Sequence, residues 1–500
     1  MISSMPSRAR PWATLLLLGC VPALISELAA AQTPGQTSES AQGENTASTL
    51  TRSAAITRAL TQNPQVAAAR AAESEAAARK GQAEAARLPA VSLVLGAGPS
   101  LKAERRPGTA DSVKSTYDVG FDDLTASFGG QLDITQPLYT FGKIAHRHDA
   151  ASHELNARKA QTQMTQAQLA VTVAQVYEGY LFARDAERFF SETEHWLMRT
   201  EEDTRTEIES GADTPEKDLL RLQAAIGAIR LGLHQAQASR RQAAAGLRAY
   251  LNLPKGEPSE PSEPALEMLP TPEDTLDALI ELALQRRPEL RALSEGTAAY
   301  NALAAAEAAG NLPDFFVMAF AFGGVTPGRD FVTSRYVQDQ LNGFYPGLLV
   351  GARWQFQGDM ANRRADENEA MALQLSHAHR WALSGLPAEV TEAFEDVQRA
   401  NSDAQSAAEA TRTAKRWLVT ASADRSVGLG DSREVTDAAQ AYVQLRMAHF
   451  DAKFRHNVGL AELARATGTL GHTDNPFYPQ KPTAPSTAPP IPPNDATAAD

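Results

Sequence analysis

The stretch Ser127–Leu138, S-F-G-G-Q-L-D-I-T-Q-P-L, decides the fold. Phe128, Leu132, Ile134 and Leu138 fall on one side of a period of two, and Ser127, Gln131, Asp133 and Thr135 fall on the other. This is the pattern of a strand with one oily and one wet face. Leu348, Val350, Ala352, Trp354 and Phe356 alternate with Leu349, Gly351, Arg353, Gln355 and Gln357 in the same way. Companion runs lie at Val91–Gly98 and Phe315–Phe322, where Phe316, Met318, Phe320 and Phe322 oppose the smaller Val317, Ala319 and Ala321.

A soluble sandwich would also bury one face of each strand. Runs of about 8–12 residues, however, match a tilted bilayer crossing. Bulky faces opposite polar or small ones suit a lipid-out, water-in wall, with the phenylalanine side of Phe315–Phe322 expected outward. Four strands cannot close, and an open edge in lipid leaves backbone groups unsatisfied at several kcal/mol each. Other copies must therefore complete the wall. Two copies give eight strands and a filled lumen; three give twelve and an open one. A homotrimer is the expected assembly.

Outward from the strands, the chain reads as two repeats. ALTQNPQV around Pro64 is answered by ALQRRPEL around Pro288, and Leu88-Pro89 by Leu312-Pro313, both at an offset of 224 (288 − 64, 313 − 89). Each half has an alanine-rich helical stretch (51–87 and 275–311), two strands, a very long helix (143–209 and 361–426), a glycine turn and a returning helix (216–253 and 433–467). The expected boundaries are a first repeat at 50–253, a Pro/Glu linker at 254–272 and a second repeat at 273–468. A polar lead-in at 32–49 and a Pro-rich tail at 469–500 have disordered compositions. Leu169, Val173, Val176, Tyr180 and Ala183 step at coiled-coil spacing, as do Val435, Ala438, Tyr442 and Leu445. Ser384-Gly385-Leu386-Pro387 should kink or break the second long helix.

The N-terminus is an export signal. Arg8 and Arg10 precede an apolar core, and Ala29-Ala30-Ala31 offers a cleavage site, giving a signal peptide at 1–31. Leu17-Leu18-Gly19-Cys20 resembles a lipoprotein box, which makes Cys20 a candidate lipidation site and leaves two processing routes open. Cys20 is the sole cysteine, which excludes a disulfide framework. The 47 basic and 60 acidic residues give a net charge of −13, against a nucleic-acid binder.

The duplicated halves, Gln136-Pro137-Leu138-Tyr139-Thr140-Phe141-Gly142 at a strand end and Ser426-Val427-Gly428-Leu429 at a helical turn resemble the TolC-like outer-membrane efflux and secretion channels. The resemblance covers about residues 50 to 468. It implies a mixed α and β membrane protein: a trimeric twelve-stranded outer-membrane barrel continued by a long periplasmic helical barrel. It also implies a passive duct of a tripartite efflux or type I secretion system, partnered by a periplasmic adaptor and an inner-membrane pump. Trp354-Gln355-Phe356-Gln357-Gly358-Asp359 departs from the first half's QPLYTFG. The resemblance assigns adaptor docking to Gly211, Asp213 and Thr214 of one turn and to Val427, Gly428, Leu429 and Ser432 of the other. Helix capping alone explains these residue types. Glu434 and Asp437 match the family's acidic periplasmic ring, with Glu434 replacing the usual aspartate. They also suit an ordinary helix start favoured by the macrodipole.

No catalytic residue, cofactor motif or metal site is expected. His146, His148 and His153, like His377 and His379, read as surface histidines without acidic partners at ligand spacing. The alternative to a duct is a structural periplasmic coiled-coil protein with the strands as a soluble cap; extraction behaviour separates the two.

Overall fold

The computed structural model describes residues 50–105, 117–211, 215–331, 339–427 and 429–470, the side chains of 101–105 and 117–123 excepted. The signal peptide, Cys20, the lead-in, Asp213, Thr214, Gly428 and the tail beyond residue 470 lie outside the described residues. The order helix, helix, strand, strand, long helix, helix occurs twice. The first set is α1 (Arg52–Gln62), α2 (Pro64–Ala85), β1 (Ala90–Arg105), β2 (Tyr117–Tyr139), α3 (Lys143–Glu209) and α4 (Glu216–Tyr250). The second is α5 (Leu276–Arg286), α6 (Pro288–Ala308), β3 (Asp314–Val325), β4 (Gly343–Arg353), α7 (Met360–Ser426) and α8 (Ser432–Ala466).

Each alanine-rich stretch, expected as one helix, is two. Pro64 and Pro288 sit at the first position of α2 and α6, and the residue before each is extended, as a following proline demands. That preceding residue also clamps. Asn63 Nδ2 donates to the Tyr250 carbonyl at 2.8 Å, and Arg287 Nη1 donates to the Ala466 carbonyl at 3.2 Å. A buried side chain thus satisfies the end of α4 in one half and of α8 in the other, where helix carbonyls lack partners.

Proline within α7 does not break it. The helix runs unbroken over 67 residues with Pro387 inside. One proline removes one backbone bond, while burial of Leu386 and Val390 and the Arg287–Glu389 ion pair at 3.0 Å anchor both sides. The returning helices pack on the long ones, α4 on α3 and α8 on α7, and α6 bridges α3 and α7. Of the predicted seam, Leu169, Val173, Tyr180, Ala183, Val435 and Ala438 are buried and Val176 packs against the core, while Tyr442 and Leu445 are half-buried.

The core is sealed by the linker. His456 of α8 is fully buried, its Nε2 3.2 Å from the Leu269 carbonyl and its Nδ1 without a partner. Burial pushes its pKa below the ordinary histidine value. Above about pH 6.5 both folded and unfolded forms are neutral and this stability is whole. As pH falls further, the unfolded chain takes a proton the folded one refuses, and stability is lost. Thermal unfolding in detergent at pH 7.5 and pH 5 should therefore show a smaller acid loss for His456→Gln than for the wild type. An equal loss would assign the acid limb elsewhere.

The four strands form one antiparallel sheet in the order β1-β2-β3-β4. Three details depart from the expected strands. β1 and β2 are longer, at 16 and 23 residues, and continue past Gly98 as a hairpin. β3 runs past the expected Phe322 through Gly323 and Gly324 to Val325, and a Cβ on Gly323 would stand 2.5 Å from the Gly343 carbonyl. β4 ends at Arg353, because its partner β3 begins at Asp314. Trp354 and Gln357 turn instead to Asn311, whose carbonyl takes the indole N–H at 2.7 Å and whose Oδ1 takes the Gln357 N–H at 3.2 Å.

Candidate functional site: a two-faced sheet and the helical tips

The strand register assigns the faces. Ile134 pairs with Val91 and Ala319, and Ala319 pairs with Leu348; Leu132 likewise aligns with Leu93, Ala321 and Pro346. Directly paired residues share a face, so one side of the sheet is apolar across all four strands. Val91, Leu93, Leu95, Phe128, Phe344, Leu348 and Val350 are all more than half exposed there. On the opposite side Asp133 pairs with Ser92 and Phe320, and Thr135 with Met318. The phenylalanine side of β3 therefore lies on the polar face, contrary to the expectation that it points outward. Alternation separates a strand's two sides; only pairing says which side joins the neighbour's.

The strand-to-helix corner explains the QPLYTFG run. Pro137 marks a register shift before Tyr139, and the Tyr139 and Phe141 rings meet edge-on at 4.7 Å. Gly142 then turns the chain at φ 85°, where a Cβ would also strike the His146 ring at 2.8 Å. Near this corner the histidines do have carboxylate neighbours. His153 Nδ1 is 2.7 Å from Glu295 and His148 Nε2 is 3.4 Å from Glu84, both on other helices and so invisible in local spacing. No group of three or more metal-ligating side chains occurs among the described residues.

At the far end of the long helices, Gly211 ends α3 at φ 80°, a conformation that favours glycine. In the second turn Asp431 caps α8 by accepting the Arg433 N–H at 3.0 Å. Ser432 is the first residue of α8. Val427 and Leu429 are bare, Leu429 at 84% exposure. Glu434 and Asp437 share an exposed side of α8, away from the buried Val435 and Ala438. Glu434 accepts the Trp417 indole N–H at 3.2 Å, and Asp437 lies 3.8 Å from Arg433. Two further residues emerge that local sequence did not single out. Trp417 of α7 holds Glu434, and Arg425 of α7 crosses to α3, donating to Thr204 at 2.7 Å and Glu207 at 3.3 Å.

Residues 55–253 match the family described as outer membrane efflux protein. None of the curated proteins matches the sequence. Among solved structures, the open-state MtrE outer membrane channel of Neisseria gonorrhoeae is similar with a TM-score of 0.66 at 16% identity, covering 83% of this chain and 88% of that one. The CmeC outer membrane channel of Campylobacter jejuni is similar at 0.68 and 14%, covering 88% and 94%. The outer membrane protein VceC of Vibrio cholerae is similar at 0.62 and 17%, covering 83% and 95%. Residues 55–253 are thus similar to the outer membrane efflux proteins, and the chain carries the fold of these solved outer membrane channels. It belongs in the outer membrane, with an extension into the periplasm.

Proposed function

We propose that three copies of this chain, each an internal duplication, join their sheets into a twelve-stranded barrel. The helices then form a periplasmic conduit, and the whole is a passive exit duct for a tripartite efflux or type I secretion system. The observation that carries this reading is the sheet itself: four strands with β1 and β4 at its edges, apolar on one face and carrying Ser92, Gln131, Asp133, Thr135 and Arg353 among aromatic rings on the other. Unpaired edges are costly in lipid, and end-to-end joining of identical sheets removes them. The 12 residues of β3 reach about 40 Å, or about 30 Å when tilted by about 40°, which suits a bilayer. Exposed Tyr139, Trp354 and Phe356 at the helical end of the sheet suit the headgroup boundary.

In this assembly the tips meet a periplasmic adaptor through Val427, Leu429 and the neighbouring turns, and an inner-membrane pump supplies the energy. Glu434 and Asp437 from three copies ring the periplasmic entrance, where crowded carboxylates attract cations.

Two measurements test the reading. The protein should stay with outer membranes through carbonate washing and sediment as a trimer in detergent; release by carbonate as a monomer would favour a periplasmic scaffold. In planar bilayers, Glu434→Ala with Asp437→Ala should enlarge conductance and weaken block by multivalent cations added from the periplasmic side. Unchanged values would remove the acidic ring.

A further inference from the structure

The polar face of the sheet carries a run of rings that the duct does not need for closure. Phe316, Phe320 and Phe322 on β3 share this face with Tyr345 and Arg353 on β4. Asp133 and Arg353 lie on it as well, and charges directed at hydrocarbon near the midplane are costly, so this side is the water-filled one. The rings lean across onto glycines. A Cβ on Gly347 would overlap the Phe320 ring, and one on Gly351 would meet the Phe316 ring at 2.9 Å. Bare backbone on β4 thus lets the rings spread along the wall. Phe320 and Phe322 stack with centroids 6.3 Å apart and planes 14° apart, and Phe322 and Tyr345 follow at 5.2 Å and 30°.

Charge selects what such a wall holds. At one end the run already carries a cation, the Arg353 guanidinium 5.4 Å from the Phe316 centroid. In the middle Asp133, paired with Phe320, accepts a hydrogen bond from Gln131 at 2.8 Å. Among the described residues no lysine or arginine lies within ion-pair distance of it. Stacked π faces beside a carboxylate without a counter-cation fit a flat molecule that is aromatic and positively charged.

We propose that Phe320, Phe322, Tyr345 and Asp133 form a binding station on the inner barrel wall for planar aromatic cations, repeated in each copy. The station rests on the trimeric duct proposed above, and the test keeps the two apart. Trimers in low-salt bilayers would be exposed to ethidium, a fused-ring cation, and separately to spermidine, a flexible cation without rings. Ethidium should interrupt the current in a concentration-dependent way. Phe320→Leu with Phe322→Leu keeps apolar bulk over Gly347 but removes the π faces; it should leave conductance intact and raise the blocking ethidium concentration about tenfold. Spermidine block should not change in that variant. Asp133→Asn should weaken block by both cations. Pores that conduct yet pass ethidium uninterrupted, or leucine variants blocked at the wild-type concentration, would overturn the station and leave the duct standing. Assembled trimers without any conductance would overturn both.

Discussion

Arg425→Ala should open the periplasmic end. Arg425 leaves the last turn of α7 and reaches α3, where it donates to Thr204 and to Glu207, and its side chain is only 15% exposed. It ties the second helical hairpin to the first near the tips, where widening of the conduit requires the hairpins to part. A hydrogen bond from a charged group contributes about 1.5–3 kcal/mol net. If the tie exists only in the closed arrangement, its loss shifts the closed-to-open ratio by about tenfold or more per copy. Single-channel recordings should show a larger mean conductance or longer openings for Arg425→Ala, with Arg425→Lys in between because both bonds leave the one nitrogen Nη2, and an ammonium keeps the charge on a shorter side chain. Trp417→Ala, which frees Glu434 from its indole partner, should add to the effect because it acts on a separate contact within α7 and α8. A wild-type current in Arg425→Ala would show that the tie persists in both states or bears no load.

What the sequence discloses here depends on whether the governing interaction is local. The long helices are read to within a residue because alanine content, glycine turns and the α7-to-α8 cap are all local signals. The split at Asn63 and at Arg287 is equally local, since a proline restricts the residue before it, and an undivided helix misreads that rule. The strands are different. Their alternation is plain, but the side of β3 that joins Ile134 follows from pairing across about 180 positions, and a one-residue change of register inverts it. Phe316, Met318, Phe320 and Phe322 therefore look like a lipid face in isolation and stand on the polar side in the sheet. The same holds at the tips. Glu434 is legible as an acidic helix start, whereas Trp417 and Arg425 acquire their roles from partners 17 and 221 positions away. Asp149, beside His148 Nδ1 at 3.2 Å, is adjacent in the chain, but the carboxylates that reach His148 Nε2 and His153 come from α2 and α6, which local spacing could not supply.

The largest stability loss is expected from Arg52→Ala. Glu178 on α3 is fully buried, and one of its oxygens is paired with the Arg52 side chain of α1 while the other accepts from Asn457 of α8 at 2.8 Å. Asn457 in turn takes the Leu269 N–H at 3.0 Å and donates to the Glu267 carbonyl at 2.8 Å, so the carboxylate organises α1, α3, α8 and the linker together. The one hydroxyl proton of Tyr177, beside it, faces both the Leu50 carbonyl at 2.7 Å and the Glu263 carboxylate, and burial together with that carboxylate holds the hydroxyl protonated well above the usual tyrosine range. Removing the guanidinium leaves a buried charge with one neutral donor, a loss of about 3–5 kcal/mol. Glu178→Gln should cost less, because it removes the charge that needs compensation and strands only Arg52, whose side chain is 14% exposed and has a path to water. Replacing both, Arg52→Leu with Glu178→Met, should recover most of the loss, since apolar substitutes for a buried pair are often neutral. Thermal midpoints of detergent-solubilised protein at one scan rate give the order: lowest for Arg52→Ala, then Glu178→Gln, with the double variant nearest the wild type. A double variant as unstable as Arg52→Ala would mean that the four-way contact, and not charge compensation, is what the pair supplies.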